Sequence, residues 1–266
     1  MASVIAVAGK GGSGKTTLSA LLVRGLLLRG VRPVLAVDAD PNSNLGEALG
    51  VAVGETLGGL VEKFQGERDA LPAGMTREAL VEMRFNAALE ERTGFDVLSM
   101  GRGEGPGCYC SVNNVLRVLM EKLGGSYRAV VIDNEAGLEH LSRRTARKMD
   151  LLLVVSDHSV RGLRAAQRIT QLADEIGLNV KKRALVISRA PRDPDPQGLI
   201  AAAGGVPLEL CGVIPHDEML TRIDVERRGL LDLPADAPCV RAVDDLLERL
   251  APEIGLPRTA GVNGEE

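Results

Sequence analysis

Aromatic residues are scarce in this chain. It has no Trp, two Tyr and three Phe in 266 residues, so its interior must be filled by Ala, Val, Leu and Ile, the side chains that suit a parallel sheet covered on both faces by helices. Cysteine is scarce as well, and four residues in a chain of this length give no basis for a disulfide framework. A surplus of basic residues is also missing: the formal net charge of −4 removes the electrostatic reason to expect nucleic acid. No apolar run reaches the length that spans a bilayer. The first residues run into a strand and a glycine loop rather than a secretory leader, so a cytoplasmic location without membrane or nucleic-acid partners is expected.

What is present is a rhythm. Short runs rich in β-branched residues at 3–8, 33–37, 95–100, 128–132, 151–155, 183–187 and 209–214 alternate with helical patterns at 16–29, 112–123, 160–176 and 240–250. Continuous apolar strands between amphipathic helices predict one α/β domain over residues 1–256, a mostly parallel, doubly wound sheet with helices on both faces. Residues 54–92 have helix-like patterns without an evident strand and read as a helical insertion. Residues 257–266, polar and glycine-containing, read as a disordered tail. In open parallel sheets ligands collect beyond the carboxyl ends of the strands. That rule gathers GKGGSGKT, DADPN, GRGEGPGCYC, DNEAG, SDHS and SRAPR on one edge.

The first of these, Gly9-Lys10-Gly11-Gly12-Ser13-Gly14-Lys15-Thr16, fits GxxxxGK[ST] with a strand before it and a helix after it. Small residues at Gly11, Gly12, Ser13 and Gly14 let successive backbone N–H groups face phosphate oxygens, and the helix opening at Lys15, Thr16 and Thr17 adds its positive end. Lys15 is expected on the β- and γ-phosphates and the Thr16 hydroxyl on Mg2+. Asp38 and Asp40 follow the second strand, and alternation places both on one side. Asp133 closes the strand AVVID and fits a Mg2+-binding carboxylate, with Gly137 shortly after it as a backbone sensor of the γ-phosphate.

Lys10 is not required by that pattern. With it, the loop resembles the deviant P-loop ATPases, which include cell-division and plasmid-partition ATPases and the nitrogenase iron protein. The resemblance implies that Lys10 crosses a homodimer interface to touch the partner's ATP, that Asp40 orients the attacking water, and that Asp38 lies behind Mg2+. Relatives often read adenine with an Asn where this chain has Ser188, and Pro215 resembles the neighbouring base-contacting loop. They also commonly carry a Pro-containing turn after the Mg2+ carboxylate, where this chain has Asn134-Glu135-Ala136-Gly137. A carboxylate near the γ-phosphate is unfavourable, so Glu135 is expected to point toward the dimer interface or a partner.

Cys108 and Cys110 lie one residue apart in the glycine-rich segment GPGCYCS, just before a predicted helix. A helix N-terminus depresses thiol pKa values and favours the thiolate, the form that binds metal. One such pair supplies two ligands where soft metals usually take four, and a two-fold dimer would supply the rest. A redox-active or incidental pair is the alternative. Cys211 and Cys239 read as small buried hydrophobes.

The segments AGKGGSGKTT, DADPN, GPGCYCSVNN, VIDNEAGLEHLSRRT and IPHDE together resemble the carbon monoxide dehydrogenase accessory ATPases. That resemblance implies a dimeric nickel chaperone: Ni2+, or Zn2+ in its place, held by Cys108 and Cys110 of both subunits and delivered to a client metalloenzyme, carbon monoxide dehydrogenase. His140, in a matched segment, reads as a helix-surface or capping residue, with a transient metal ligand as the alternative. Two other readings stand beside this one. An ATP-gated electron carrier would hold an iron–sulfur cluster between the same four thiols, although DNEAG lacks the second cysteine loop of the nitrogenase protein. The other is a spatial regulator that partitions DNA or marks the membrane; membrane markers of the superfamily end in a basic amphipathic helix, whereas the last predicted helix here carries Asp and Glu and an acidic tail is expected after it.

Overall fold

The computed structural model describes residues 2–60, 83, 86–101, 125–136 and 149–258. Strand β1 (Ser3–Gly9) feeds α1 (Lys15–Leu28), followed by β2 (Val34–Asp38), the short α2 (Asn44–Ala48), β3 (Leu89–Arg92), β4 (Phe95–Ser99), β5 (Ala129–Ala136) and β6 (Met149–Asp157). Then come α3 (Val160–Glu175), β7 (Val180–Ala190), α4 (Pro196–Ala202), β8 (Glu209–Pro215), α5 (Glu218–Val225) and α6 (Pro238–Leu250). Among the described residues the strands form one sheet in the order β3-β4-β2-β5-β1-β6-β7-β8. Every pairing is parallel except β3 with β4. The expected α/β class, with a mostly parallel sheet, is therefore what the chain adopts.

Strand alternation sorts the apolar residues into two cores. Ile5, Val7, Val34, Ala36, Val97 and Val131 face one way and pack with Leu18, Leu22 and Leu26 of α1 and Val243, Leu246 and Leu250 of α6. Ala6, Leu35, Val37, Leu98 and Ile132 face the other way and pack with Leu163, Ala166, Ile169 and Ala173 of α3. All three helices show the 3–4-residue apolar spacing of a core-facing stripe. Ser159 caps α3 by accepting from Gly162 N at 3.0 Å. Arg29, at the end of α1, is almost fully buried and bridges to Asp244 at 2.8 Å and Glu248 at 3.3 Å on α6. That pairing fixes the helix behind the glycine loop.

One sequence expectation is corrected. Residues 89–92, assigned above to a helical insertion, form β3, which runs antiparallel to β4 from Leu89↔Leu98 to Arg92↔Phe95. A two-residue connection, Thr93-Gly94, with Gly94 at φ 87°, closes the hairpin. The charged side chains of Glu90, Glu91 and Arg92 blunt this outer edge, and their polarity hides the strand from a hydrophobic pattern. The stretches 112–123 and 257–266 lie wholly or mostly outside the described residues. No helix among the described residues is long and apolar enough to cross a membrane.

The loop after α5 returns to α2, where Gly229 touches the backbone of Leu49 and Gly50. A methyl group on Gly229 would come within 2.7 Å of Gly50 N and Leu49 C, a backbone contact that no rotamer relieves. Gly229→Ala should lower stability by about 1–3 kcal/mol, read as a shift in the urea midpoint. An unchanged midpoint would mean that this approach does not constrain the fold.

Candidate functional site

The carboxyl ends of β2, β5 and β1 meet at one edge, and the glycine loop leaves β1 there. Gly14 adopts the left-handed conformation at φ 88° and ends the loop, so α1 starts without a side-chain cap or an acidic first turn. The first N–H groups of α1 thus keep their donors for an anion. Ser13 N donates to Lys10 O at 3.1 Å, and the buried Lys15 ammonium donates to the same carbonyl at 3.3 Å. Lys10, Gly11 and Gly12 are exposed, so the Lys10 side chain projects from the outer rim of the loop.

Parallel pairing puts Asp38 directly opposite Asp133 on neighbouring strands, on the α1 side of the sheet. Both are essentially buried. Thr16 Oγ1 donates to Asp133 Oδ2 at 2.6 Å and Ser19 Oγ donates to Oδ1 at 3.2 Å. Burial lifts Asp133 to about 6 against the pull of the Thr16 bond and the Lys15 charge. Asp38 accepts from Leu45 N at 2.7 Å and from Asp40 N at 3.1 Å. Burial, reinforced by the neighbouring Asp133 charge, pushes it up to about 7 despite those bonds. Asp40 Oδ1 accepts from both Asn42 N and Asn42 Nδ2 at 2.9 Å, holding the turn before α2. The donor set is all oxygen, and desolvated carboxylates lie beside a hydroxyl, which fits Mg2+. Thr16 and Asp133 would hold the ion, and bound there it offsets charge on the β- and γ-phosphate oxygens.

A cleft of about 480 Å³ opens from the helix end of the loop, between α2 and the segments after β7 and β8. Gly14, Thr16 and Thr17 form its phosphate end, and Pro215, His216 and Arg189 line the far part. Pro215 thus lines the same cleft as the loop residues. Ser188 lines the cleft too, and its hydroxyl donates to the Ser13 carbonyl, which braces the loop. Sequence reasoning missed Arg227 and Arg228, which close the cleft from the loop after α5. The signal lay only in the tertiary return of that loop. Cys108, Cys110, Gly137 and His140 lie outside the described residues. Among the described residues no cluster of three or more His, Cys, Asp or Glu side chains is arranged to hold a metal. Cys211 and Cys239 are buried free thiols; burial and a bond to Asp217 push Cys239 up to about 12.

A phosphate loop, an oxygen-donor Mg2+ site and a nucleoside-sized cleft on a doubly wound sheet define a P-loop ATPase. The chain belongs to the CobQ/CobB/MinD/ParA nucleotide-binding family, whose domain matches residues 4–230. It is 41% identical to an uncharacterized ATP-binding protein of Methanocaldococcus jannaschii, covering 93% of this chain and 98% of that one. It is 34% identical to the carbon monoxide dehydrogenase accessory protein CooC of Rhodospirillum rubrum, over 95% of this chain and 99% of that one. The fold is also that of the septum site-determining protein MinD of Pyrococcus horikoshii in complex with Mg-ADP. That structure superposes with a TM-score of 0.71 over 96% of this chain and 98% of that chain, at 22% identity.

The raised carboxyls carry a sign. Between the ordinary carboxylate value of 3.8 and about 7, the folded nucleotide-free chain binds more protons at Asp38 than the unfolded chain does, so stability contributed there is lost as pH rises through that window. Asp133 adds to the same trend up to about 6. Thermal melts without nucleotide should show Tm falling from pH 4.5 toward pH 7, with a shallower fall in Asp38→Asn. An equal slope in both proteins would place the titration elsewhere.

Proposed function

We propose that this ATPase is a dimeric metallochaperone. Its two subunits hold Ni2+, with Zn2+ as the competing soft ion, through Cys108 and Cys110 of each chain, and ATP turnover drives delivery to a client metalloenzyme of the carbon monoxide dehydrogenase type. The observation that carries this reading is the full-length similarity to CooC, combined with a CxC pair in a glycine-rich segment of this chain. The chemistry supports it. The Mg2+ corner at Thr16 and Asp133 offers oxygen donors, and Cys211 and Cys239 are buried, which leaves Cys108 and Cys110 as the thiols for a soft metal.

In this mechanism the loop N–H groups and Lys15 bind and orient the phosphates, while Thr16 and Asp133 position the metal-facing oxygens. Asp40, at the turn after β2, orients the attacking water. Lys10, exposed on the loop rim, reaches the nucleotide of the second subunit, so hydrolysis waits for dimerisation. Glu135 faces the same interface or the client, and Gly137 senses the γ-phosphate. Closure over ATP brings the two thiol pairs together, and hydrolysis separates them.

Two measurements test the proposal. Cys108→Ser/Cys110→Ser should abolish stoichiometric nickel binding, read by equilibrium dialysis and metal analysis, and leave ATP binding intact. Equal nickel content in variant and wild type would defeat the chaperone reading. A brown chromophore in anaerobically purified wild type would replace that reading with an iron–sulfur carrier. Lys10→Ala should lower kcat by about two orders of magnitude or more and weaken ATP-driven dimerisation in gel filtration. Full turnover by a monomeric Lys10→Ala protein would show that no second subunit enters the ATP site.

A further inference from the structure

The segment Asn134-Glu135-Ala136 is not explained by the phosphate loop or the Mg2+ carboxylate. Strands β1 and β5 pair in step from Ser3↔Ala129 to Val7↔Asp133 and then slip, so that the next pair is Gly9↔Ala136. Two residues advance on β1 while three advance on β5. The extra residue lies directly after the Mg2+ carboxylate and beside the start of the glycine loop. Such a bulge re-aims the chain next to a site.

Asn134 holds the slip. It faces away from Asp133, is 1% exposed, and its amide Nδ2 donates to Val7 O at 2.8 Å and to Ile132 O at 3.4 Å. Both neighbours are carbonyls, so the amide orientation is forced. Its Oδ1 is buried and has no hydrogen-bond partner among the described residues. Leaving such an acceptor unpaired costs about 1–3 kcal/mol, a penalty that a Leu of similar shape would not incur. A residue that only filled this position would not need a carboxamide. The side chain of β5 is instead tied to the main chain of β1 one step before the loop begins.

The location gives this tie a task. The nucleoside cleft opens at Gly14, Thr16 and Thr17, the helix end of the glycine loop. The phosphates therefore extend toward the other end, past Lys15 and Asp133, so the last of them lies nearest Gly9 and the chain paired with it. We propose that Asn134 is a positioning residue for recognition of the terminal phosphate. By fixing the bulge against Val7 O, it sets the peptide groups that follow Asp133 at the height of the γ-phosphate, and so lets the protein tell ATP from ADP. Asn134 itself touches neither the nucleotide nor the metal.

Affinities for Mg-ADP and for a non-hydrolysable Mg-ATP analogue, measured by titration calorimetry on wild type, Asn134→Ala and Asn134→Leu, test this. Both variants should bind ADP within about twofold of wild type and the analogue about tenfold more weakly, the loss of about one positioned hydrogen bond. Turnover in kcat should fall in parallel. Asn134→Leu should melt at or above the wild-type temperature, because it removes the unpaired Oδ1 and keeps the volume. Unchanged discrimination in the Leu variant would overturn the proposal. Parallel loss of ADP and analogue binding would overturn it too, and so would unfolding of both variants, since each result makes Asn134 a residue of general stability.

Discussion

The hydrogen bond from Thr16 Oγ1 to Asp133 Oδ2 at 2.6 Å joins the two halves of this site, and much else depends on it. It ties the first turn of α1 to the end of β5, which lies between β2 and β1 in the sheet. With Ser19 on the other oxygen, Asp133 is held in one orientation under the loop. The arrangement costs the carboxylate its solvation, hence its raised pKa, and that cost is offset when a cation arrives. Structure and chemistry are set by the same contact: the residue that anchors α1 to the sheet is the one that presents oxygen to Mg2+.

The second carboxylate follows from register. Because β2 pairs with β5 in step, Asp38 must lie beside Asp133, and two buried acids side by side resist joint ionisation. The chain answers by spending both Asp38 oxygens on the turn into α2. Asp38 therefore links the Mg2+ edge to the helix that walls the nucleoside cleft. On its other flank, Met100 N donates to Asp38 O at 2.9 Å, so the exit of β4 is fixed to the same residue. Movement at the carboxylate pair would be felt on both sides.

Much of this was legible in the sequence, for a physical reason. The central strands are buried on both faces and so appear as unbroken apolar runs. The loop is a local motif whose backbone conformation needs small residues, and its lysine and threonine follow at fixed spacing. Asp38 and Asp133 each end such a run, so the sheet-edge rule put them near the loop. Features made by return contacts were not legible. The brace from the Ser188 hydroxyl to the Ser13 carbonyl is one of them. Strand β3 is polar because one side of it is an edge. Arg227 and Arg228 reach the cleft where Gly229 packs on Gly50, a contact between residues far apart in the sequence. The role of Asn134 needed a register slip that no single-strand pattern encodes.

The separation of donor types bears on what the ATPase is for. A site that serves both Mg2+ and a soft ion would be taken by the soft ion, because nitrogen- and sulfur-containing sites bind late transition metals far more tightly than Mg2+. At the Asp38–Asp133 pair the donors are hydroxyl, carboxylate and backbone groups, and Cys211 and Cys239 are withdrawn into the core on β8 and on α6. The remaining thiols, Cys108 and Cys110, follow β4 in the sequence, and the last residues of β4 are hydrogen-bonded to the strand that carries Asp38. Under the metallochaperone reading, Mg2+ and the cargo ion take their ligands from different residues, and the chain that leads to the thiols leaves from β4. On that reading ATP turnover would reach the cargo through the backbone that continues from β4, with no ligand shared by the two metals.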